Sequence, residues 1–232
     1  MRSINRLSQR RKVAQEAAEL LYTGQEKEYK QAKQRALRTM GVHFLPSNLE
    51  VASELDRISE EREGKARGER LVQKRSEALQ IMQVLRSHNP ILVGSVWRGT
   101  ANYNSDIDII AYARNPQQVV LTLQKHCFLV NKMETETVTK KGEKQYSSHI
   151  YLDLPSKHSA EIVVRPLERI GERAKCEIYG DTVRGLTTQK LKQILRQNPQ
   201  RRFIPNSLTS LGLATLCKKG VRHLGSWADD RR

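Results

Sequence analysis

Between Leu92 and Ala111 the chain reads LVGSVWRGTANYNSDIDIIA, and this stretch limits the fold more than any other. Two short apolar runs flank a turn that opens on Gly94-Ser95, and ten residues then intervene before Asp106, Ile107 and Asp108. Alternate residues of a strand share a face, so Asp106 and Asp108 project together while Ile107 and Ile109 face the other way. Two neighbouring carboxylates at a strand end are costly to hold against an apolar fold without a cation between them. The stretch therefore predicts a divalent-metal site beside a phosphate-binding turn.

Moving a nucleotidyl group from a nucleoside triphosphate (NTP) to a hydroxyl needs such a combination. The triphosphate must be neutralised and a weak nucleophile activated, and two metals roughly 3.5–4 Å apart do both. Mg²⁺ prefers hard oxygen ligands and shared substrate phosphates, hence carboxylates on a rigid surface. A Gly-Ser turn supplies backbone N–H groups and a hydroxyl to phosphate, and glycine allows the close approach.

Gly94-Ser95, Arg98-Gly99 and Ser105-Asp106-Ile107-Asp108, with flanking β-branched strands, resemble the DNA polymerase β-like nucleotidyltransferase superfamily, most of all its minimal nucleotidyltransferases. The resemblance runs from about Leu71 to Pro166. It implies that Asp106 and Asp108 bind two Mg²⁺ ions and that Gly94 and Ser95 hold the triphosphate of an NTP, with ATP the expected nucleotide. Ser105 caps the turn into the strand, and Arg98 either approaches phosphate or braces the loop. The family's third carboxylate lies on a later, neighbouring strand, where it binds the catalytic metal and helps deprotonate the acceptor. Glu161 in AEIVVRP is the expected residue, with Asp153 in IYLDLP as the alternative. The family usually has Asp there, so Glu161 is a departure, one methylene longer.

Composition points to the partner. The 232 residues carry a formal net charge of +16, which favours a polyanion such as RNA through counterion release. The charge is uneven: residues 1–88 hold 18 Lys and Arg against 12 Asp and Glu, residues 89–174 hold 11 against 9, and residues 175–232 hold 12 against 4. The flanks are basic and the carboxylate-bearing centre is nearly balanced. Cys127, Cys176 and Cys217 are too scattered for a disulfide scaffold or a zinc site, which implies a reducing, cytoplasmic setting. No run suits a membrane span. The opening MRSINRLSQRRK is Arg- and Ser-rich like a transit peptide, but it continues directly into a helix.

The expected class is α/β (α+β): a small mixed β-sheet with helices on one side, preceded by a helical region. Three parts are expected, a helical basic region at 1–68, a nucleotidyltransferase domain at 69–174 and a basic extension at 175–232. Helices are predicted over 9–22, 25–40 and from Ser47, where Ser47 and Glu50 form a capping-box pattern. SEEREGKARGER reads as a solvated helix or a hinge, and a fourth helix spans about 69–87. Asn115-Pro116 starts another helix, and Thr187 caps one to about Gln197. Strands are expected at 128–139, 145–154 and 160–165, the first two joined by a hairpin loop at Gly142. A loosely packed tail with one short helix near 208–216 closes the chain. Trp97 and Tyr103 are read as base-stacking or core residues, and Gly180-Asp181 as a turn or an extra nucleotide contact.

Three functions compete. The first is Mg²⁺-dependent transfer of NMP to a hydroxyl on RNA, at tRNA or an RNA 3′ end. The second is AMPylation of a protein acceptor, as in antitoxin-type minimal nucleotidyltransferases. The third is non-catalytic RNA binding on a degenerate scaffold, suggested by the departure at Glu161.

Overall fold

The computed structural model describes residues 2–140 and 143–205. Four helices come first: α1 (Arg2–Tyr22), α2 (Tyr29–Met40), α3 (Asn48–Glu63) and α4 (Lys65–Val84). Helix α2 stops where Gly41 turns left-handed, and the Ser47–Glu50 capping box opens α3 as the spacing predicts. The predicted helix at 25–40 starts later, at Tyr29, because Glu28 is extended. SEEREGKARGER is helical on both sides of one break and is not wholly solvated, since Ser59 is buried. Only Gly64 breaks the helix, and Arg67, just beyond it, is buried.

The remaining elements are β1 (Ile91–Leu92), a one-turn helix α5 (Gly94–Arg98), β2 (Ile107–Tyr112), α6 (Pro116–Lys125), β3 (Leu129–Lys140), β4 (Glu143–Asp153), β5 (Ser159–Arg165), β6 (Leu186–Thr187) and α7 (Thr188–Gln197). They form a mixed α/β fold around a six-stranded sheet in the order β3-β4-β5-β2-β1-β6. The β2–β5 pair is parallel and the other pairs are antiparallel. Asn115 caps α6 and Thr187 caps α7, each through a side-chain oxygen. Gly142 and the helix expected at 208–216 lie outside the described residues.

Strand periodicity divides the sheet into two unlike faces. Ile107, Ile109, Ala111, Ala160, Ile162, Val164, Ile150 and Leu152 are buried, in one core with Leu71, Ala78, Ile81 and Met82 of α4 and with Leu191 and Ile194 of α7. The opposite face carries Asp108, Glu161, Tyr151 and His149, all less deeply covered. Helices α1–α3 enclose a second core, built on Val13, Ala17, Ala32, Ala36, Val51 and Ile58. Among the described residues no helix is long and apolar enough to cross a membrane. Cys127 and Cys176 are free thiols.

Candidate active site

Parallel pairing of β2 with β5 puts Asp108 directly opposite Glu161. Asp106 lies just before β2; it lines the same cavity as Asp108, and its charge acts on the Asp108 carboxyl. Asp106 is exposed at the strand entrance, while Asp108 and Glu161 are half-buried. Burial pushes the Asp108 carboxyl up to about 7, the neighbouring Glu161 and Asp106 push it the same way, and Lys74 opposes them. Negative charge is thus concentrated where solvation is poor, a setting that favours a cation.

Gly94 is pressed onto this cluster. Its φ is +69°, and a Cβ built there would lie 1.9 Å from Asp108 Oδ2. Both the left-handed backbone and the lack of space require glycine. The turn then winds as α5 and stops at left-handed Gly99, whose N–H donates to Ser95 O. Ser105 closes the following loop: its Oγ accepts from Asn102 N at 2.9 Å. Gly94, Ser95, Arg98, Ser105, Asp106 and Asp108 all line one cavity of about 810 Å³.

Glu161 is placed differently. Its Oε1 meets His149 Nδ1 at 2.5 Å, and His149 Nε2 lies 3.1 Å from Ser147 Oγ. It stands beside Asp108 in register without being part of the cavity lining. Asp153 is exposed on β4, opposite Ser159. Among the described residues no three His, Cys, Asp or Glu side chains are arranged to hold a metal ion by themselves. The aspartate pair still fits Mg²⁺, which usually takes one or two protein carboxylates and completes its shell with water and substrate phosphates.

Arg98 is only 5% exposed at its side chain and is fully engaged. Its two terminal nitrogens donate to Asp181 Oδ2 and Oδ1 at 2.9 and 2.6 Å, and one also donates to Phe203 O at 2.9 Å. The guanidinium lies 4.2 Å from the Trp97 ring centroid and 4.8 Å from that of Tyr179. This is the geometry of a brace. Arg98→Lys, which cannot reproduce the fork, is expected to lower the unfolding free energy by about 2 kcal/mol in urea titration. A phosphate ligand at this position would instead weaken NTP binding and leave unfolding unchanged. Trp97 is a core residue, and Tyr103 sets its ring edge-on to Tyr22 with centroids 5.0 Å apart.

Three further cations of α4 hold the loop and are not singled out by sequence reasoning. Lys74 Nζ donates to the carbonyls of Asn102, Tyr103 and Ser105, and burial pulls its pKa down to about 8. Arg75 donates to Val96, Trp97, Pro199 and Arg201 carbonyls at 2.6–3.1 Å. Arg67 reaches Thr100 O and Ala101 O at 2.8 and 2.9 Å, and Asp56 Oδ1 at 2.6 Å. A signal for them does exist: Arg67, Leu71, Lys74, Arg75 and Ala78 share one helical face, so the cations fall on the apolar stripe. Asp181 has no comparable signal, because its partner is 83 residues away.

Residues 76–171 match the family model described as nucleotidyltransferase domain. Among solved structures, a cytoplasmic RNA terminal U-transferase aligns at 18% identity over 44% of this chain and 30% of that one, with a TM-score of 0.31. The GLD-2/RNP-8 complex aligns at 18% identity over 52% and 44%, also with a TM-score of 0.31. This chain therefore spans less than half the length of either. Comparison with curated proteins gives no match.

Proposed function

We propose that this chain, which carries a nucleotidyltransferase domain at residues 76–171, transfers NMP from an NTP to a hydroxyl of RNA and releases pyrophosphate. The observation that carries this reading is Gly94 held against Asp108, with Asp106 and Asp108 in the lining of a nucleotide-sized cavity. The net charge of +16 supports RNA as the acceptor.

In this reading Gly94 and Ser95 bind the triphosphate, and the glycine lets the phosphates come close to the carboxylates. Asp106 and Asp108 hold Mg²⁺, with Glu161 as their third carboxylate. The metal supplies charge neutralisation at the attacking and leaving oxygens. Glu161 and His149, hydrogen-bonded to each other, border the site on the β4–β5 side. Lys74 and Arg75 hold the turn and loop that lead to the aspartates, and Arg98, in the cavity wall, is anchored to Asp181.

The test is incubation of the full chain with Mg²⁺, each labelled NTP and a pool of RNA. Label is expected on RNA with wild type and not with Asp106→Ala. Equal labelling by the two would remove the site assignment. Label on a co-incubated protein with RNA bare would move the acceptor to protein. The hold of His149 on Glu161 favours one competing reading, RNA binding without catalysis; it predicts tight, salt-sensitive RNA binding that neither NTP nor Mg²⁺ alters.

A further inference from the structure

The cavity lined by Asp106 and Asp108 is also walled by the N-terminal helices. Leu21, Tyr29, Ala52 and Leu55 line it together with Ile178 and Tyr179. The volume of about 810 Å³ lies within the range of small-molecule pockets, about 300–1,000 Å³, and has room for a whole nucleotide.

The lining is of two kinds. Gly94, Ser95, Asn102 and Ser105 accompany the carboxylates, while the helices contribute Leu21, Tyr29, Ala52 and Leu55 beside Asp56, and the turn between α1 and α2 adds Thr23, Glu26 and Lys27. Burial drives the Tyr29 phenol pKa upward, so this ring is poorly solvated, and Tyr29, Leu21 and Leu55 also pack on the core of α1–α3. Ala52 is buried yet stands apart from the core that α1–α3 share, and its methyl group faces the cavity. A nucleobase is an apolar disc with polar edges, and aromatic and aliphatic surfaces are what its faces stack on.

The helical wall is fixed to the catalytic loop itself. Asn104 Nδ2 donates to Tyr22 O at 2.9 Å, and Tyr103 N donates to Glu63 Oε1 at 3.1 Å. Asp56 accepts from Arg67 and from Arg202, both at 2.6 Å. The loop ending in Asp106 and the helices are thus held in register by several independent bonds.

We infer that the N-terminal helices form the nucleoside-binding wall of the NTP site, through Leu21, Tyr29, Ala52 and Leu55. This rests on the NTP reading above. The helices preceding the catalytic domain then control which base is accepted, and the Gly94–Asp108 end binds only the phosphates and the metal.

Two opposite variants of the full chain test it: Ala52→Leu, which fills the wall, and Tyr29→Ala, which empties it. Each is titrated in Mg²⁺ with the four NTPs and with inorganic tripolyphosphate, and its helicity is checked by circular dichroism. Both are expected to weaken NTP binding by at least about tenfold, the loss of one stacking or packing contact. Tripolyphosphate affinity should stay within about twofold of wild type, since phosphate contacts are untouched. Unchanged NTP affinity in both variants overturns the inference and leaves the NTP site standing. So does a weakened RNA affinity with NTP unaffected, which would give the wall to the acceptor. Parallel loss of tripolyphosphate also overturns it. Wild type binding neither NTP nor tripolyphosphate would instead bring down the NTP reading itself.

Discussion

Asp108→Asn is expected to abolish nucleotidyl transfer, by about 10³-fold or more, while making the metal-free protein more resistant to heat above neutral pH. On the proposed reading, in which Asp108 is a metal ligand, the first effect follows from losing a charged oxygen there. The second follows from the sign of the pKa shift. Burial and the neighbouring Glu161 and Asp106 raise the Asp108 carboxyl to about 7 in the folded chain, from an ordinary value of 3.8. The fold therefore prefers the neutral form, and stability falls as pH rises through that interval. Asparagine copies the neutral form at every pH. Its advantage in melting temperature should be present at pH 8 and largely gone near pH 4. Added Mg²⁺ should raise the wild-type melting temperature at pH 8 by relieving the same repulsion, and raise that of the variant far less. A variant that melts lower than wild type at pH 8 without metal would mean that Asp108 is not held in a repulsive cluster.

Arg75→Met should produce the largest loss of stability, about 3–5 kcal/mol, read from urea unfolding. The guanidinium is completely buried, and burial pulls its pKa down to about 10. Among the described residues it has no carboxylate partner, and its four acceptors are backbone carbonyls from two separated stretches, 96–97 and 199–201. Methionine keeps much of the volume but leaves those carbonyls without a donor, and an unpaired buried carbonyl is costly. The same change should release the 199–203 segment, which Phe203 N otherwise joins to Arg98 O at 2.9 Å. Hydrogen exchange at Phe203 is the local readout. An unfolding free energy within about 1 kcal/mol of wild type would show that the carbonyls find other donors.

What the sequence makes legible is governed by how far apart the interacting residues are. The capping box at Ser47 and Glu50, the left-handed stop at Gly41 and the Asn115 and Thr187 caps are each complete within a few residues. Alternation along β5 separates the core face from the carboxylate face in the same local way, whereas in β2 Asp108 is the one residue that is not buried. The tail is different. Its first residues, expected to be loose, are tied down by Arg75 and Arg98, whose partners lie more than 100 residues away. Arg67, Lys74 and Arg75 resemble solvated charges until the loop they bind is folded above them.

The sequence by itself determined the Gly94 turn before β2, the strand that carries Asp108 and the mixed α/β class, because spacing and residue type suffice for these. Only the tertiary structure decided that Arg98 braces Asp181, that Glu161 stands opposite Asp108 with its carboxylate on His149, and that the N-terminal helices close the cavity. Each of these depends on chain segments brought together across long separations, and no local pattern encodes which distant carbonyl or carboxylate a buried cation will meet.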